Sequence, residues 1–348
     1  MRPEHGRRPV LLLAAILTFC AAAAHADAPA YNVTDTLHLA GPVRWDYLTF
    51  DADAHRLFIT RGESVDVLDV LSKTIVGSIP DTHGVHGVAL APSLNRGFIS
   101  DGKTNSATVF DLATLKTIAT VPTGTKPDAI VYDPTSQRVF TANGESDDLT
   151  VIDAKDAKVL STIKVGGDPE FAAVDGEGRL YVNLENKAQL VVVDTKELKV
   201  LAHYDLAPKC DGPTGLSIDT AQHRLFVSCA NKVMLIVDAA TGHILETLPI
   251  GEHSDATLFD PSSKLAFSSN GDGTLTIIGQ TDADHYSVVQ TVKTLPTART
   301  MALNPGTHEI YLAAAETEGF EPAKNGRPPR PHMKADTFMI VTVAPKSP

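Results

Sequence analysis

Seven short segments of the 348-residue chain end in the same kind of Asp-Pro-like turn, and a polar or charged residue stands five positions before each turn. These seven residues are Asp46, His86, Asp128, Glu170, Thr214, Asp255 and Arg299. Carboxylates that are brought together repel one another unless a cation, a shared proton or a nearby arginine compensates their charge. A fold that collects this column of residues would therefore bind a positive group or carry out acid–base chemistry. The alternative is that the acids cap nearby backbone N–H groups and are solvated.

Histidines near this column add a second kind of chemistry. His83 precedes His86 by three positions, His253 precedes Asp255 by two, and His332 lies in a basic insertion. Imidazoles beside carboxylates are typical ligands of zinc, copper and iron. We therefore take His83, His86, His253 and His332 as a candidate site for a transition metal ion (Cu, Zn or Fe). No closely spaced motif such as H-E-x-x-H accompanies them, and the alternative is that they form local hydrogen bonds in loops.

The residues with chemical potential belong to a repeat that covers nearly the whole chain. The aligned turn positions are separated by 40, 42, 42, 44, 41 and 44 residues, and they are Asp51, Ala91, Asp133, Asp175, Asp219, Asp260 and Asn304. Each copy contains short alternating apolar runs that are typical of strands, for example RVFTA and LTVID, separated by turns rich in Gly, Asn and Asp. Four strands in about 40 residues predict an all-β, seven-bladed β-propeller.

The count of strands predicts how the ring closes. The seventh copy ends after three strands, whereas the segment NVTDTLHLA at residues 32–40 stands before the first copy without a blade of its own. We expect this N-terminal strand to complete the last blade, because a closed ring has no free edge strands.

A propeller brings the seven polar positions to one place. The loops before the innermost strands lie at one mouth of the central channel, where binding residues are concentrated. Arg44, Trp45 and Lys126 lie beside the column in sequence and join it as candidate ligand-binding residues. Trp45 is either a stacking platform for a ligand or a packed aromatic residue of the closing blade.

Composition and the N-terminus indicate the compartment. The formal charge of -12 is unfavourable for nucleic-acid binding. A basic start, an apolar run and the motif Ala24-His25-Ala26 predict a signal peptide at 1–26 that is cleaved after Ala26. The apolar run is too short to span a membrane. We expect a periplasmic or secreted protein, with residues 27–348 as one domain and a monomeric ring.

Export leaves two cysteines, Cys210 and Cys229, in a compartment where disulfides persist. Both fall within the fifth copy, and we expect them to form a disulfide within that blade, with thiolate metal ligation as a less favoured alternative.

The seventh copy carries an insertion at 316–336 that is rich in proline and basic residues. We expect it to lack regular structure and to lie on the face of the channel mouth, either drawn across the acidic residues as a lid or extended into solvent.

The segment RVFTANGESDDLTVIDAKDAKVLSTIKVGGDP resembles the repeat of the YVTN, YncE-like family of exported bacterial β-propellers. The resemblance extends over roughly 32–343 and implies the propeller fold and export, but no single reaction. The sixth copy departs from the pattern because Gly279 stands where a strand-ending Asp is expected.

Two functional hypotheses follow. The first is a propeller that binds a small-molecule or protein ligand at its acidic channel mouth without catalysis. The alternative is a metal-dependent hydrolase, lyase or oxidoreductase that uses the four histidines and nearby carboxylates. Signatures of other enzymes, such as G-x-S-x-G, a P-loop or a dinucleotide fingerprint, do not occur in the sequence.

Overall fold

The alternation of apolar residues along each repeat produces strands, and the turns between them pair neighbouring strands in antiparallel fashion. The structure, a computed structural model, describes residues 29–321 and 330–346. Strand β1 comprises Tyr31–His38. The strands of the first two blades are β2 (Leu48–Asp51), β3 (Arg56–Thr60), β4 (Ser64–Asp69), β5 (Thr74–Pro80), β6 (Val85–Ala91), β7 (Arg96–Asp101), β8 (Ser106–Asp111) and β9 (Thr117–Pro122).

The third, fourth and fifth blades follow the same order from the channel to the rim. Their strands are β10 (Pro127–Asp133), β11 (Arg138–Asn143), β12 (Asp148–Asp153), β13 (Lys158–Lys164), β14 (Pro169–Val174), β15 (Arg179–Leu184), β16 (Gln189–Asp194), β17 (Lys199–Asp205), β18 (Pro213–Asp219), β19 (Arg224–Cys229), β20 (Val233–Asp238) and β21 (Ile244–Pro249). Short 3-10 turns occupy Pro92–Leu94 and Glu185–Lys187.

The last two blades and the insertion complete the chain. Their strands are β22 (Ser254–Asp260), β23 (Leu265–Asn270), β24 (Thr274–Gln280), β25 (Tyr286–Lys293), β26 (Thr300–Asn304), β27 (Glu309–Ala314), β28 (Thr317–Glu321), β29 (Arg330–Met333) and β30 (Met339–Pro345). Seven four-stranded antiparallel sheets form a ring, in which the inner strand β2 contacts both β6 and β26. The predicted seven-bladed β-propeller is confirmed.

The turn after each inner strand is built in a similar way in most blades. In most copies the strand-ending Asp accepts a hydrogen bond from a backbone N–H two or three residues later, as Asp175 does from Glu177 at 2.7 Å. Asn304 replaces the Asp in the last blade and accepts from Gly306 at 3.0 Å. A short side-chain acceptor stabilises the tight turn into the second strand, which explains the regular Asp-Pro-like signature.

The ring closes as the sequence predicts. β1 pairs with β30, and the last blade has the order β1-β30-β27-β26. Arg61 holds the chain that follows β1, since its guanidinium donates to the carbonyl oxygens of Ala40 and Pro42 and lies 3.9 Å from the ring centroid of Phe338. Arg61 is almost fully buried. The closing segment is therefore held by the hydrogen bonds and the cation–π contact of Arg61 as well as by strand pairing.

The fifth blade contains the expected disulfide between Cys210 and Cys229, with a Cα–Cα distance of 5.5 Å. Cys210 lies in the loop before β18, and Cys229 ends β19, so the bond ties the mouth loop to the second strand of the same blade. Within the described ranges, no helix is long and apolar enough to cross a bilayer.

The insertion of the last blade differs from the prediction that it lacks regular structure. Its two ends, β28 and β29, form an antiparallel hairpin in which Thr317 is paired with Met333. Lys334 donates to Glu316 at 2.8 Å across the base of this hairpin. A two-stranded ribbon tolerates Pro331 because neither strand is central in a sheet. Residues 322–329, which contain much of the basic segment, and the predicted signal peptide lie outside the described residues.

Candidate functional site

The seven residues of the polar column lie at the beginning of the innermost strands, on one mouth of the channel. Two of them, Asp46 and Arg299, stand just before β2 and β26, and the others fall within the first residues of their inner strands. Their backbones are held by bonds between neighbouring blades. Thr300 donates to the carbonyl of Asp46 at 2.8 Å, and Ser269 donates to the carbonyl of Arg299 at 2.6 Å. The blade contacts therefore set the spacing of the side chains around the mouth.

His86 connects three blades. Its Nδ1 atom lies 2.6 Å from Oδ2 of Asp46 and 3.5 Å from Oδ1 of Asp128. The three side chains are 21%, 15% and 13% exposed. Burial alone would lower the pKa of His86, but the hydrogen bond with Asp46 and the charges of Asp128 and Asp46 raise it overall.

Arg299 provides the second positive group of the mouth. It forms an ion pair with Asp255, and its Nη2 atom lies 3.8 Å from Oδ1 of Asp46. The carboxylate of Asp255 raises the pKa of Arg299 further above its usual range. The guanidinium remains 44% exposed and therefore faces the solvent at the mouth.

Three carboxylates of the mouth, those of Asp128, Glu170 and Asp255, hold their protons more strongly than free acids do. Burial raises the pKa of Asp128 to about 7, although the positive charge of His86 opposes the shift. Burial, and then the charges of Asp128 and Asp255, raise the pKa of Glu170 well above its usual range. Burial also raises the pKa of Asp255, against the effect of Arg299.

Glu170 differs from the other acids because it lacks a basic partner. Within 29–321 and 330–346, its carboxylate takes part in no hydrogen bond or ion pair, whereas Asp46 contacts His86 and Asp255 contacts Arg299. The mouth therefore contains three carboxylates with a basic partner, namely Asp46, Asp128 and Asp255, and one that has no compensating cation, which is the charge pattern expected of a site for a positive group.

An aromatic pair forms the floor of the mouth. The rings of Tyr47, in the first blade, and Phe171, in the fourth, meet edge to face with 5.1 Å between their centroids. Burial and the charges of Glu170, Asp255, Asp128 and Asp46 raise the pKa of Tyr47 well above its usual value. The Tyr47 hydroxyl therefore lies in the field of the acids, and the two rings narrow the channel directly below them.

Sequence reasoning did not identify this floor, although the sequence carries a signal for it. The residues four positions before each aligned turn are Tyr47, Gly87, Ala129, Phe171, Gly215, Ala256 and Thr300. Two large rings in a column of small residues can reach across the ring of blades. A Cβ atom at Gly215 would lie 2.6 Å from the backbone nitrogen of Thr257, so the neighbouring inner strand leaves no space for a side chain there.

A second group of charged residues lies in the loops that flank the polar column. Burial raises the pKa of both Asp168 and Glu185, and Lys126 opposes this shift in each case through its positive charge. Lys126 is half-buried, and it also acts on Asp128. The predicted contribution of Lys126 to the mouth is thus an electrostatic one over a distance, since no ion pair involves it within the described residues.

Trp45 and Arg44 take different positions from the acids. The Trp45 ring packs on Phe338 with 5.3 Å between ring centroids and belongs to the apolar cluster of the closing blade. This contact corresponds to the packed-aromatic interpretation of Trp45. Arg44 is exposed and lies against the loop at Gly62.

The four histidines of the predicted metal site do not come together. His83 pairs with Glu63 at 2.8 Å, and His332 pairs with Glu318 of the hairpin at 3.0 Å, each about half exposed. His253 is exposed and has a positive φ of 57°. The loop histidines point to separate partners because spacing along a loop does not determine the direction of a side chain.

The structure forms a different ligand group instead. Within the described part of the chain, one group of three or more potential metal-ligating side chains has all its ligand atoms within 4.8 Å of one another, and it consists of Asp46, His86 and Asp128. Only His86 of the predicted histidines belongs to it.

Comparison with known proteins supports the fold and a distant relationship. No protein-family model matches the chain. A protein of Salmonella typhimurium strain LT2 named YncE, described as uncharacterized, is 27% identical over 150 residues, which is 41% of either chain. The YncE protein of Salmonella typhi matches to the same extent. The chain thus spans about two fifths of the length of the curated relatives that it matches.

Among solved structures, hydrazine synthase from Kuenenia stuttgartiensis is similar in fold, with a TM-score of 0.68 and 16% identity over 79% of this chain and 94% of that chain. An identity this low concerns the fold alone. The chain is therefore a seven-bladed β-propeller that is distantly similar, over part of its length, to the YncE proteins.

Proposed function

We propose that this protein is an exported β-propeller that binds a positively charged ligand, or a cationic segment of a partner protein, at its channel mouth. The observation that supports this proposal most strongly is the Glu170 carboxylate, which faces the mouth among other acids without a basic partner. A buried carboxylate without a counter-charge is costly, and a bound cation removes that cost.

Arg299 shows how a cationic group fits this environment. Its guanidinium pairs with Asp255 and lies near Asp46, so two carboxylates already hold one positive group that belongs to the chain. A ligand with a guanidinium or ammonium group would make the corresponding contacts with Asp128 and Glu170. Charge-assisted hydrogen bonds of this kind are stronger than those between neutral groups.

The aromatic floor suits the same class of ligand. Tyr47 and Phe171 narrow the channel below the acids, which keeps a ligand at the mouth. The faces of aromatic rings attract cations, particularly where water is partly excluded. Acids around a cation and rings beneath it form a combined binding surface.

Export is part of the proposal. The disulfide of the fifth blade is consistent with an oxidising compartment, and the predicted leader at 1–26 would direct the chain there. N-terminal sequencing of the protein recovered from the periplasm tests this point, with Asp27 expected as the first residue. Recovery of the protein in the cytoplasm with an intact leader would contradict it.

The alternative function, an enzyme with a metal held by four histidines, loses its proposed ligand set, because His83 and His332 have separate partners. The binding function does not depend on these residues.

Calorimetric titration of the mature protein with agmatine, which carries a guanidinium and an ammonium group, tests the binding function. Pentylurea, which resembles the guanidinium end but is neutral, serves as the ligand control. We expect agmatine to bind and pentylurea not to bind, because the acids recognise charge. Glu170→Gln should weaken agmatine binding about tenfold, since one charged hydrogen-bonding partner is lost.

Asp53→Asn is the matched protein control. Asp53 is exposed in the turn between β2 and β3, on the opposite face, so this change removes one negative charge without altering the mouth. Equal weakening by Asp53→Asn and Glu170→Gln would indicate a general effect of net charge and contradict a specific site.

A further inference from the structure

Three side chains of the mouth form a more specific arrangement than an acidic surface. One ligand atom each of Asp46, His86 and Asp128 lies within 4.8 Å of the other two, although the residues come from three consecutive blades. The Nδ1 atom of His86 is 2.6 Å from Oδ2 of Asp46 and 3.5 Å from Oδ1 of Asp128. One imidazole and two carboxylates are a common ligand set for divalent transition metals.

The atoms that face one another in the cluster bond to one another and not to residues outside it. Asp46 uses Oδ1 toward Arg299, at 3.8 Å, and Oδ2 toward His86, at 2.6 Å. The arginine therefore lies on the side of the Asp46 carboxylate away from the cluster. An ion with bonds of roughly 2.0–2.2 Å to each ligand could take the place of the proton between His86 and Asp46 once Nδ1 and Oδ2 move from 2.6 Å to about 3.4 Å apart, which is the spacing of two ligands on a tetrahedral ion.

The imidazole is held with Nδ1 toward the two acids. A Cβ atom at Gly102 would lie 2.7 Å from Nε2 of His86, so the ring packs closely on the backbone of the second blade. The backbone N–H of the following residue, Gly87, donates to Ser100 at 2.9 Å, and the backbone of Asp128 accepts from the same hydroxyl. Two ligands are thus anchored by one serine of the second blade.

A separate observation concerns the mouth beside this cluster, where Tyr47 lies among the same acids. Tyr47 is only 8% exposed, and its side chain extends from the first blade to Phe171 across the channel, among the mouth acids. Its hydroxyl makes no hydrogen bond with any of the described residues. A water molecule or a ligand bound at the mouth could supply a partner for this hydroxyl.

We infer that Asp46, His86 and Asp128 bind one divalent transition-metal ion, through Nδ1 of His86 and one oxygen of each carboxylate. Two carboxylates neutralise the charge of the ion, and three protein ligands leave coordination positions open at the mouth. This inference rests on the proposed function, because the ion is a cation bound by the same acids. It specifies the kind of cation and the atoms that hold it.

Zinc titration of untagged, chelator-treated protein tests the inference, since a histidine tag would itself bind metal. We expect one Zn²⁺ per chain, and an affinity at least about tenfold lower in both His86→Ala and Asp128→Asn. His83→Ala is the matched control, because His83 lies three residues away but pairs with Glu63 on the exposed surface. Its affinity for zinc should equal that of the wild type.

Absence of zinc binding in the wild-type protein would overturn the inference, as would equal affinities in wild type and His86→Ala. Circular dichroism establishes that each variant is folded. If His86→Ala does not fold, the inference is tested with Asp128→Asn and with the visible absorption of bound Co²⁺. Co²⁺ in the wild type should show absorption bands that Asp128→Asn lacks.

The agmatine titration separates the two proposals. Binding of agmatine without binding of zinc would retain the cationic-ligand function and refute the metal site. Binding of zinc at His86 without binding of agmatine would retain the metal site and refute recognition of organic cations.

Discussion

Tyr47 and Phe171 narrow the channel from opposite sides, with their rings edge to face and 5.1 Å apart between centroids. The channel mouth is consequently a cup with an aromatic floor, and the acids of the neighbouring positions form its wall. A ligand of the mouth therefore contacts acids and rings together.

The floor predicts different effects for two substitutions of Tyr47. Tyr47→Ala should lower the free energy of unfolding by about 3 kcal/mol, because a buried aromatic ring is lost and a cavity remains. Tyr47→Phe should change it by less than about 1 kcal/mol, because the hydroxyl that it removes has no partner in the described residues. Urea unfolding followed by Trp45 fluorescence measures both. Similar losses in the two variants would show that the hydroxyl contributes to the fold.

Asp101 predicts a pH-dependent stability. Burial raises its pKa to about 6 from the usual value of 3.8, and one of its carboxylate oxygens has no partner in the described residues. The equivalent positions of the third and sixth blades hold Asn143 and Asn270, whose amides donate to neighbouring side chains. Asp101→Asn should therefore stabilise the protein at pH 8, by about 1–3 kcal/mol.

The sign of this effect follows from proton uptake. The folded protein binds the Asp101 proton more tightly than the unfolded chain does, so this group reduces stability as pH rises from about 4 to about 6. The advantage of Asp101→Asn should be complete above that range, should shrink as the pH falls through it, and should be nearly lost below about pH 4. Unfolding curves at pH 4 and pH 8 measure it, with Asp53→Asn as the exposed control. A constant difference across this range would refute the assignment.

The disulfide of the fifth blade predicts a loss of stability on reduction. Cys210 and Cys229 are 19 residues apart, and a loop of that size corresponds to about 3 kcal/mol in the chain-entropy estimate. Reductant should lower the melting temperature of the wild type. The double variant Cys210→Ala, Cys229→Ala should melt at the lower temperature with or without reductant. A reductant effect on that variant would show that another process is responsible.

Gly102 predicts an effect on the metal site from a residue that is not a ligand. Gly102→Ala would place a Cβ atom 2.7 Å from Nε2 of His86 and displace its ring, so zinc affinity should fall several-fold. Gly306→Ala is the matched control, because the nearest atom to its Cβ would be 3.4 Å away. Equal zinc affinities in the two variants would show that the backbone at Gly102 does not hold the ring.

The sequence was sufficient for the architecture because the relevant signals are local and repeated. The strand-ending Asp or Asn forms its turn within a few residues, and a seventh copy with three strands requires a fourth strand, which β1 supplies. Cys210 and Cys229 fall in the same blade, so the repeat brought them together. The column from Asp46 to Arg299 likewise follows from one position of the repeat.

Other features depend on side-chain orientations and on distances between blades, which the sequence of a single repeat does not determine. The pairing of Tyr47 with Phe171 joins blades on opposite sides of the ring, and only a comparison of all seven copies reveals it. His83 pairs with Glu63 and not with the residues around His86, although the two histidines are only three positions apart. The prolines of the insertion predict an irregular loop, but its two ends pair with each other and form a hairpin outside the blade.

The central claim is that ionised carboxylates at the mouth bind a cation, and the affinity for agmatine as a function of pH tests it most directly. Asp128 has a raised pKa of about 7, Glu170 is also raised, and His86 retains its proton to a higher pH than usual. Between pH 5.5 and pH 8.5 Asp128 loses its proton, and the higher pH also favours the deprotonated forms of Glu170 and His86, while a guanidinium and an ammonium group remain charged. The account predicts that agmatine binds about tenfold or more tightly at pH 8.5, with proton release on binding. Absence of binding at both values, or an affinity that is independent of pH, would contradict it.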